Sequence, residues 1–164
     1  MIGNRDFIDD IKQYILNELS QDTNFSNTNV ANAYDSENTL KTPQISVYIS
    51  SDREDEASNS YDSENISILR VIFYCYNKAM VFNEDDEKTS AIESTMLLSD
   101  KLKEILNKNN LVSNNSNIIS SIRKSYTQPQ SLRDSNVYVD ITTYQFKVLN
   151  NYTKIYNQNT NEGE

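Results

Sequence analysis

The chain has no histidine, no tryptophan and a single cysteine, and its only glycines are Gly3 and Gly163. Each absence closes off a class of chemistry. Without histidine there is no Ser–His or Cys–His relay, no imidazole metal ligand and no imidazole acid or base near neutral pH. Without glycine between Asn4 and Glu162 there is no phosphate-cradling loop of the Walker or dinucleotide type, which needs backbone that only glycine allows. One cysteine forms no internal disulfide, which excludes a disulfide-stapled secreted domain. Cys75 lies in the apolar run Ile-Leu-Arg-Val-Ile-Phe-Tyr-Cys-Tyr and reads as a small buried hydrophobe rather than a reactive thiol. No apolar run reaches the length of a membrane span, and the first residues lack the basic-then-apolar pattern of a signal peptide. A soluble protein made in a cytoplasm is the expectation.

What is present is acid, amide and tyrosine. The 164 residues carry a formal net charge of −9. Such a surface repels the phosphate backbone and offers no basic patch to anionic lipid, so neither sequence-specific nucleic-acid binding nor membrane binding is expected. Abundant asparagine supplies the left-handed turn positions that glycine would otherwise fill. The length fits one domain with a real core: residues 1–150 are expected to fold, and 151–164 to form a polar tail.

Hydrophobic periodicity sets the element order. Phe7, Ile8, Ile11, Tyr14, Ile15 and Leu19 fall on one face of a helix over residues 6–19. Residues 20–42 read as a long polar loop. Ile45, Val47 and Ile49 alternate as a strand, and 50–64 read as an exposed acidic loop. Residues 65–77 carry the strongest strand signal, with Ile66, Ile68, Ile72, Tyr74 and Tyr76 on one side and Leu69, Val71, Phe73 and Cys75 on the other. Apolar residues on both faces imply a strand covered twice, or a face buried against another subunit. The acidic cluster at 84–87 suits a helix N-terminus and opens a second helix to about residue 108. Its expected inner face is Ile92, Thr95, Met96, Ser99, Leu102, Ile105 and Leu106, with Asn109 and Asn110 as its stop. Two strands follow. In 117–126, Ile118, Ser120, Ile122, Lys124 and Tyr126 alternate. In 136–149, Val137, Val139 and Ile141 face one way and Tyr144, Phe146 and Val148 the other, which predicts a β-bulge or a strong twist near Thr142–Thr143. The order α-β-β-α-β-β lacks the βαβα alternation of a doubly wound sheet. It points to an α+β domain, a mostly antiparallel sheet of about four strands with two helices on one face. The segment Tyr-Asp-Ser-Glu-Asn occurs at 34–38 and again at 61–65, but its flanks differ and no solenoid repeat follows.

Carboxylates are the only candidate catalytic or metal-binding material. Asp52, Glu54, Asp55 and Glu56 fail the calcium-loop pattern, because Ala57 stands where the sharp turn needs glycine. Glu84 to Glu87 are accounted for by a helix start. No catalytic, cofactor or metal site is assigned, and the chain is not expected to be an enzyme. Tyrosine is in excess, eleven residues against five phenylalanines. Tyrosine fills half-buried sheet edges and also enriches protein interfaces, and the two readings are equally open for Tyr138, Tyr144, Tyr152 and Tyr156.

The first helix, the strand pair Gln-Ile-Ser-Val-Tyr-Ile and Ile-Leu-Arg-Val-Ile-Phe-Tyr-Cys-Tyr, the long second helix and the closing Val-Tyr-Val-Asp-Ile-Thr-Thr-Tyr-Gln-Phe together resemble the neck and tail-completion proteins of tailed bacteriophages and phage-tail-like bacteriocins. The resemblance spans residues 5–149 and rests on architecture and size. It implies a tail terminator: a homo-oligomeric ring, commonly of six subunits, that caps the tail tube, meets the neck proteins and resides in the particle. A head–tail connector of the neck is the nearest alternative. A carboxylate-dependent metal hydrolase and a monomeric binding domain are alternatives of other classes. Under the ring reading, Asp52, Glu54, Asp55 and Glu56 are candidate lumen or partner contacts, with Tyr138, Tyr144 and Tyr152. For the acidic group the competing reading is a solvated turn that aids solubility.

Overall fold

The computed structural model describes residues 4–33, 41–54, 66–78, 87–107, 118–131 and 137–149. Eight elements follow in the order α1 (Asn4–Ser20), β1 (Asn29–Asn32), β2 (Gln44–Glu54), β3 (Ile66–Lys78), α2 (Glu87–Ile105), β4 (Ile118–Tyr126), β5 (Gln130–Ser131) and β6 (Val137–Leu149). The strands form one six-stranded sheet in the order β1-β2-β3-β6-β4, with the short β5 also on β6. All pairs are antiparallel except β1–β2. The fold is α+β, with both helices on one face. No helix among the described residues is long and apolar enough to cross a membrane.

The core lies between the helices and the inner sheet face. Phe7, Ile11 and Ile15 of α1, Leu98 and Leu102 of α2 and Leu106 just after it are fully buried against Ile45, Val47, Leu69, Phe73 and Phe146. Three phenylalanines organise it: Phe7 meets Phe146 at 5.3 Å between ring centroids, and Phe73 meets Phe146 edge-on at 6.5 Å. Alternation places these side chains, since residues two apart on a strand share a face. In β3 the odd residues 69, 71, 73 and 75 are all buried, as the sequence pattern predicts.

Six expectations need correction. The expected loop at 20–42 contains β1, which pairs in parallel with residues 44–47. Asn-Val-Ala-Asn is too short and too polar to show a period, and the β2 edge supplies its order. Its second half, 34–40, lies outside the described residues. β2 runs five residues past Ile49 into the expected acidic loop, with a bulge between Ile49 and Ser51. Asp52 and Glu54 therefore belong to a strand. On α2, Met96 is 43% exposed, whereas Ala91 and Leu98 are fully buried; the inner face is Ala91, Thr95, Leu98, Ser99, Leu102 and Ile105, continued past the helix end by Leu106. Thr95 turns its hydroxyl back to Ala91 O within the helix, and Ser99 hydrogen-bonds the Asp140 carboxyl of the strand beneath. In β4, register shifts at 118–120 and 123–125 break the simple alternation, so Ser121 is buried and Ile122 exposed. The two-residue β5 falls in the expected loop around Pro129.

Of the bulge or twist expected in β6, no bulge occurs in its pairing with β3; the irregularity beside Thr143 and Tyr144 is a register shift carried by β4 between Arg123 and Ser125. The pairing of β6 with β3 runs unbroken from Val137 to Leu149, and the even residues 138–148 point inward throughout. The first half of the strand thus turns Tyr138, Asp140 and Thr142 toward the helices and Val139 and Ile141 away from them. The apolar parity switch in the sequence reflects a change in what lies over each face, not a change in backbone. The tail expected from residue 151 and the stop at 109–110 lie outside the described residues.

Candidate functional site

The outer sheet face, opposite both helices, combines aromatic, aliphatic and basic side chains. β3 contributes Arg70, Ile72, Tyr74, Tyr76 and Lys78, because its even residues all lie on that side. Tyr48 of β2 pairs with Ile72, Ile141 of β6 with Tyr74, and Val139 with Tyr76. Tyr74 and Tyr76 stack at 6.3 Å with 15° between their planes. Ile72, Tyr74, Tyr76 and Ile141 are half-buried, while Arg70 and Lys78 are exposed. Burial and its two neighbours Tyr74 and Cys75 push the Tyr76 phenol above its ordinary value, so the ring stays a neutral hydrogen-bonding group. Lys147 lies at the far end of the face, opposite Ile68. Among the described side chains of this face there is no Asp or Glu, although the chain as a whole is at −9. No helix among the described residues lies over it.

Buried polar groups gather in two places among the described residues: on the outer face Gln44 Nε2 donates to Ser46 Oγ at 2.8 Å beside Tyr76 and Tyr74, and the inner face holds a larger cluster. Asn77, Thr95, Ser99, Asp140 and Thr142 are all buried where α2 crosses β3 and β6. Asn77 Nδ2 donates to Ser94 O at 3.4 Å, and Thr95 Oγ1 to Ala91 O at 2.8 Å. The Thr142 hydroxyl donates to Ser125 O at 3.1 Å, and Thr127 Oγ1 accepts from Ile141 N–H at 3.0 Å. Asp140 Oδ1 has no hydrogen-bond partner. Burial raises the Asp140 carboxyl above the ordinary range; the Ser99 and Thr127 hydroxyls and the Arg123 charge oppose the rise, and Asp100 adds to it. Opposite Asp140 on β3 sits Cys75, whose thiol is pushed up by burial and by that carboxylate. A thiol so placed is a packing group, not a nucleophile. A perturbed carboxyl in a cleft is a candidate acid or base, but this one is sealed beneath a helix. A groove of about 310 Å³ lies elsewhere, between α1 and β1, lined by Asp9, Lys12, Gln13, Leu16 and Val30.

The structure separates the residues singled out by sequence. Asp52 and Glu54 lie opposite Leu69 and Ser67 at the far end of β2. Asp55, Glu56, Tyr152 and Tyr156 lie outside the described residues. Tyr138 and Tyr144 are both buried on the inner face. Tyr144 meets Phe73 edge-on at 5.6 Å and stacks on Phe146 at 6.0 Å, and burial pushes its phenol up to about 12. Within one chain these two tyrosines are core, and the half-exposed tyrosines among the described residues are Tyr48, Tyr74 and Tyr76. The signal for the latter was present in the alternation of β3, where Arg70 and Lys78 share their parity. Among the described residues no group of three or more Cys, Asp or Glu side chains is placed to hold a metal ion. No protein-family model matches the chain, and no curated protein matches its sequence.

Proposed function

We propose that the chain is a structural subunit of a phage tail or phage-tail-like particle, a tail terminator whose copies form a ring that caps the tail tube and meets the neck. The observation that carries this reading is the outer sheet face, a half-buried tyrosine and isoleucine surface opposite both helices. Tyrosine-rich, partly apolar surfaces are what protein interfaces use, and the element order agrees with that of the neck and tail-completion proteins. The acidic balance suits a lumen that DNA crosses without adhering, because like charge lowers affinity. The role is geometric: each subunit presents fixed surfaces to its neighbours and to the last tube ring, and no step of catalysis is required.

The test is to incubate the purified protein with tail tubes and image the tube ends by negative-stain electron microscopy. Rings seated on tube ends, and tubes that no longer elongate when fresh tube subunit is added, are the expected result. Binding to the neck side alone would assign the connector role instead. Neither binding nor self-association, with ion-dependent hydrolysis lost on changing the carboxylates, would replace the reading by the hydrolase one.

A further inference from the structure

The helix layer carries a second exposed apolar patch, on the opposite side of the molecule from the first. On α2, Glu93, Leu97, Asp100 and Glu104 are spaced at i, i+4, i+7 and i+11, one stripe of a helix, and all four are exposed. Leu97 is 59% exposed and its neighbour Met96 43%. The reason is visible beneath: the inner positions 95 and 99 are taken by Thr95 and Ser99 over the polar cluster, so the large apolar residues of this turn face out. Lys103 shares this side, while Lys101 is turned toward Asp22, at 3.4 Å, as well as toward Glu104, at 3.7 Å. The stripe is thus an apolar ridge flanked by three acids.

Its properties are the complement of the outer sheet face. There, Ile72, Tyr74, Tyr76 and Ile141 form a half-buried apolar floor, and the exposed charges among the described side chains of β3, Arg70 and Lys78, are both cations. We propose that these two surfaces bind each other between copies: the α2 ridge of one subunit seats on the outer sheet face of the next. The acids Glu93, Asp100 and Glu104 then meet the cations at the rim, and Met96 and Leu97 are buried at the centre. Opposite charges across an interface fix register and suppress wrong partners. Because the two patches lie on opposite sides of a two-layer molecule, the contact is head-to-tail. A head-to-tail contact closes into a ring where the rotation permits and otherwise runs into a filament. A single-stranded nucleic acid is the competing occupant of a basic, tyrosine-bearing sheet. The net charge of −9 and the matching acidic ridge favour a second copy. The inference deepens the assembly reading and rests on it for its biological place.

Two variants test it by complementation, read by size-exclusion chromatography with light scattering. One carries Met96→Asp and Leu97→Asp, changing only exposed side chains. The other carries Arg70→Glu and Tyr74→Asp on the outer face; circular dichroism and the melting curve establish that both remain folded, and the milder pair Arg70→Glu, Lys78→Glu serves if the second does not. The expected result is association in the wild type, weakening of roughly tenfold or more in each variant alone, and a 1:1 dimer when the two are mixed, since one intact ridge still meets one intact face. Association of either variant at wild-type strength, a monomeric wild type, or a mixture that stays monomeric would overturn it. So would a wild type that shifts a labelled single-stranded oligonucleotide through Arg70 and Lys78. Tube capping is scored on the same samples. Capping retained by a variant that associates normally removes the head-to-tail pairing and keeps the terminator reading. Complementation without capping keeps the pairing and removes the terminator reading.

Discussion

The two helices dock on the same sheet face in different ways. α1 presents Phe7, Ile8, Ile11, Tyr14, Ile15 and Leu19, with Asp10 its one buried charge among the described side chains. α2 divides: its C-terminal half buries Leu98, Leu102 and Ile105, with Leu106 just beyond it, while its N-terminal half buries only Ala91 and Thr95 and, with Ser99 at the junction, lies over Asn77 and Asp140. Apolar burial contributes about 25 cal/mol per Å², whereas buried polar groups are favourable only when paired. The first helix is therefore held by the hydrophobic effect along its whole length. The first half of the second is placed by the shape and hydrogen bonding of a polar seam that adds little energy. Local opening free energies follow such differences, so α2 should begin to exchange its amide hydrogens from its N-terminal half, before α1.

The sharpest way to break this contrast is at its strong end. Phe7→Ala removes the ring that meets Phe146 and should cost about 3–5 kcal/mol by urea unfolding, as aromatic truncations in cores do. A cost under about 1 kcal/mol would mean that α1 is not the principal clamp. Leu102→Ala should cost about 2–5 kcal/mol and also speed exchange across all of α2 with little effect on α1; equal acceleration in both helices would show that they open as one unit.

Asp140→Asn probes the seam. The carboxyl's value in the fold lies above its ordinary 3.8. A raised carboxyl contributes stability that is full below its ordinary value and lost as pH rises through the raised one. The substitution removes the charge and so removes that loss. The expected outcome is a higher urea midpoint than wild type at pH 7 and little difference at pH 3. A variant less stable than wild type at pH 7 would show that the carboxylate is compensated where it sits. The smallest effect is expected at Lys101, which joins Asp22 and lies 5.9 Å from the Phe25 ring centroid. Lys101→Ala should cost roughly 0.5–1 kcal/mol, less at high salt.

The same contrast explains what was legible beforehand. α1 and the two faces of β3 follow from spacing, because hydrophobicity alone decides their orientation. α2 is found as a helix but its inner face is rotated. Met96 is more apolar than Thr95, and only the strand beneath, with Asn77 and Asp140, reveals why the threonine lies inward. β6 fails for the same reason: Val137, Val139 and Ile141 look like core, yet they line the outer face while Tyr138, Asp140 and Thr142 are buried. β1 and β5 carry no period and exist only through their partners. For the surfaces, tyrosine excess was the right class of signal, but its location required the register. Tyr138 and Tyr144 fall inside, and Tyr74 and Tyr76 fall on the face with the cations.

The place of β6 has a consequence for the order of events during synthesis. It follows every other described element in the chain yet lies inside the sheet, between β3 and β4. Until it leaves the ribosome, β3 has an open edge and β4 has no partner. A nascent chain that ends before residue 137 therefore displays β3 as an open edge strand, paired with β2 alone and with apolar side chains on both faces, the kind of surface on which neighbouring nascent chains aggregate. The last thirteen described residues convert that exposed edge into the middle of a sheet, so the window between translation of β3 and of β6 is when the chain most needs a chaperone.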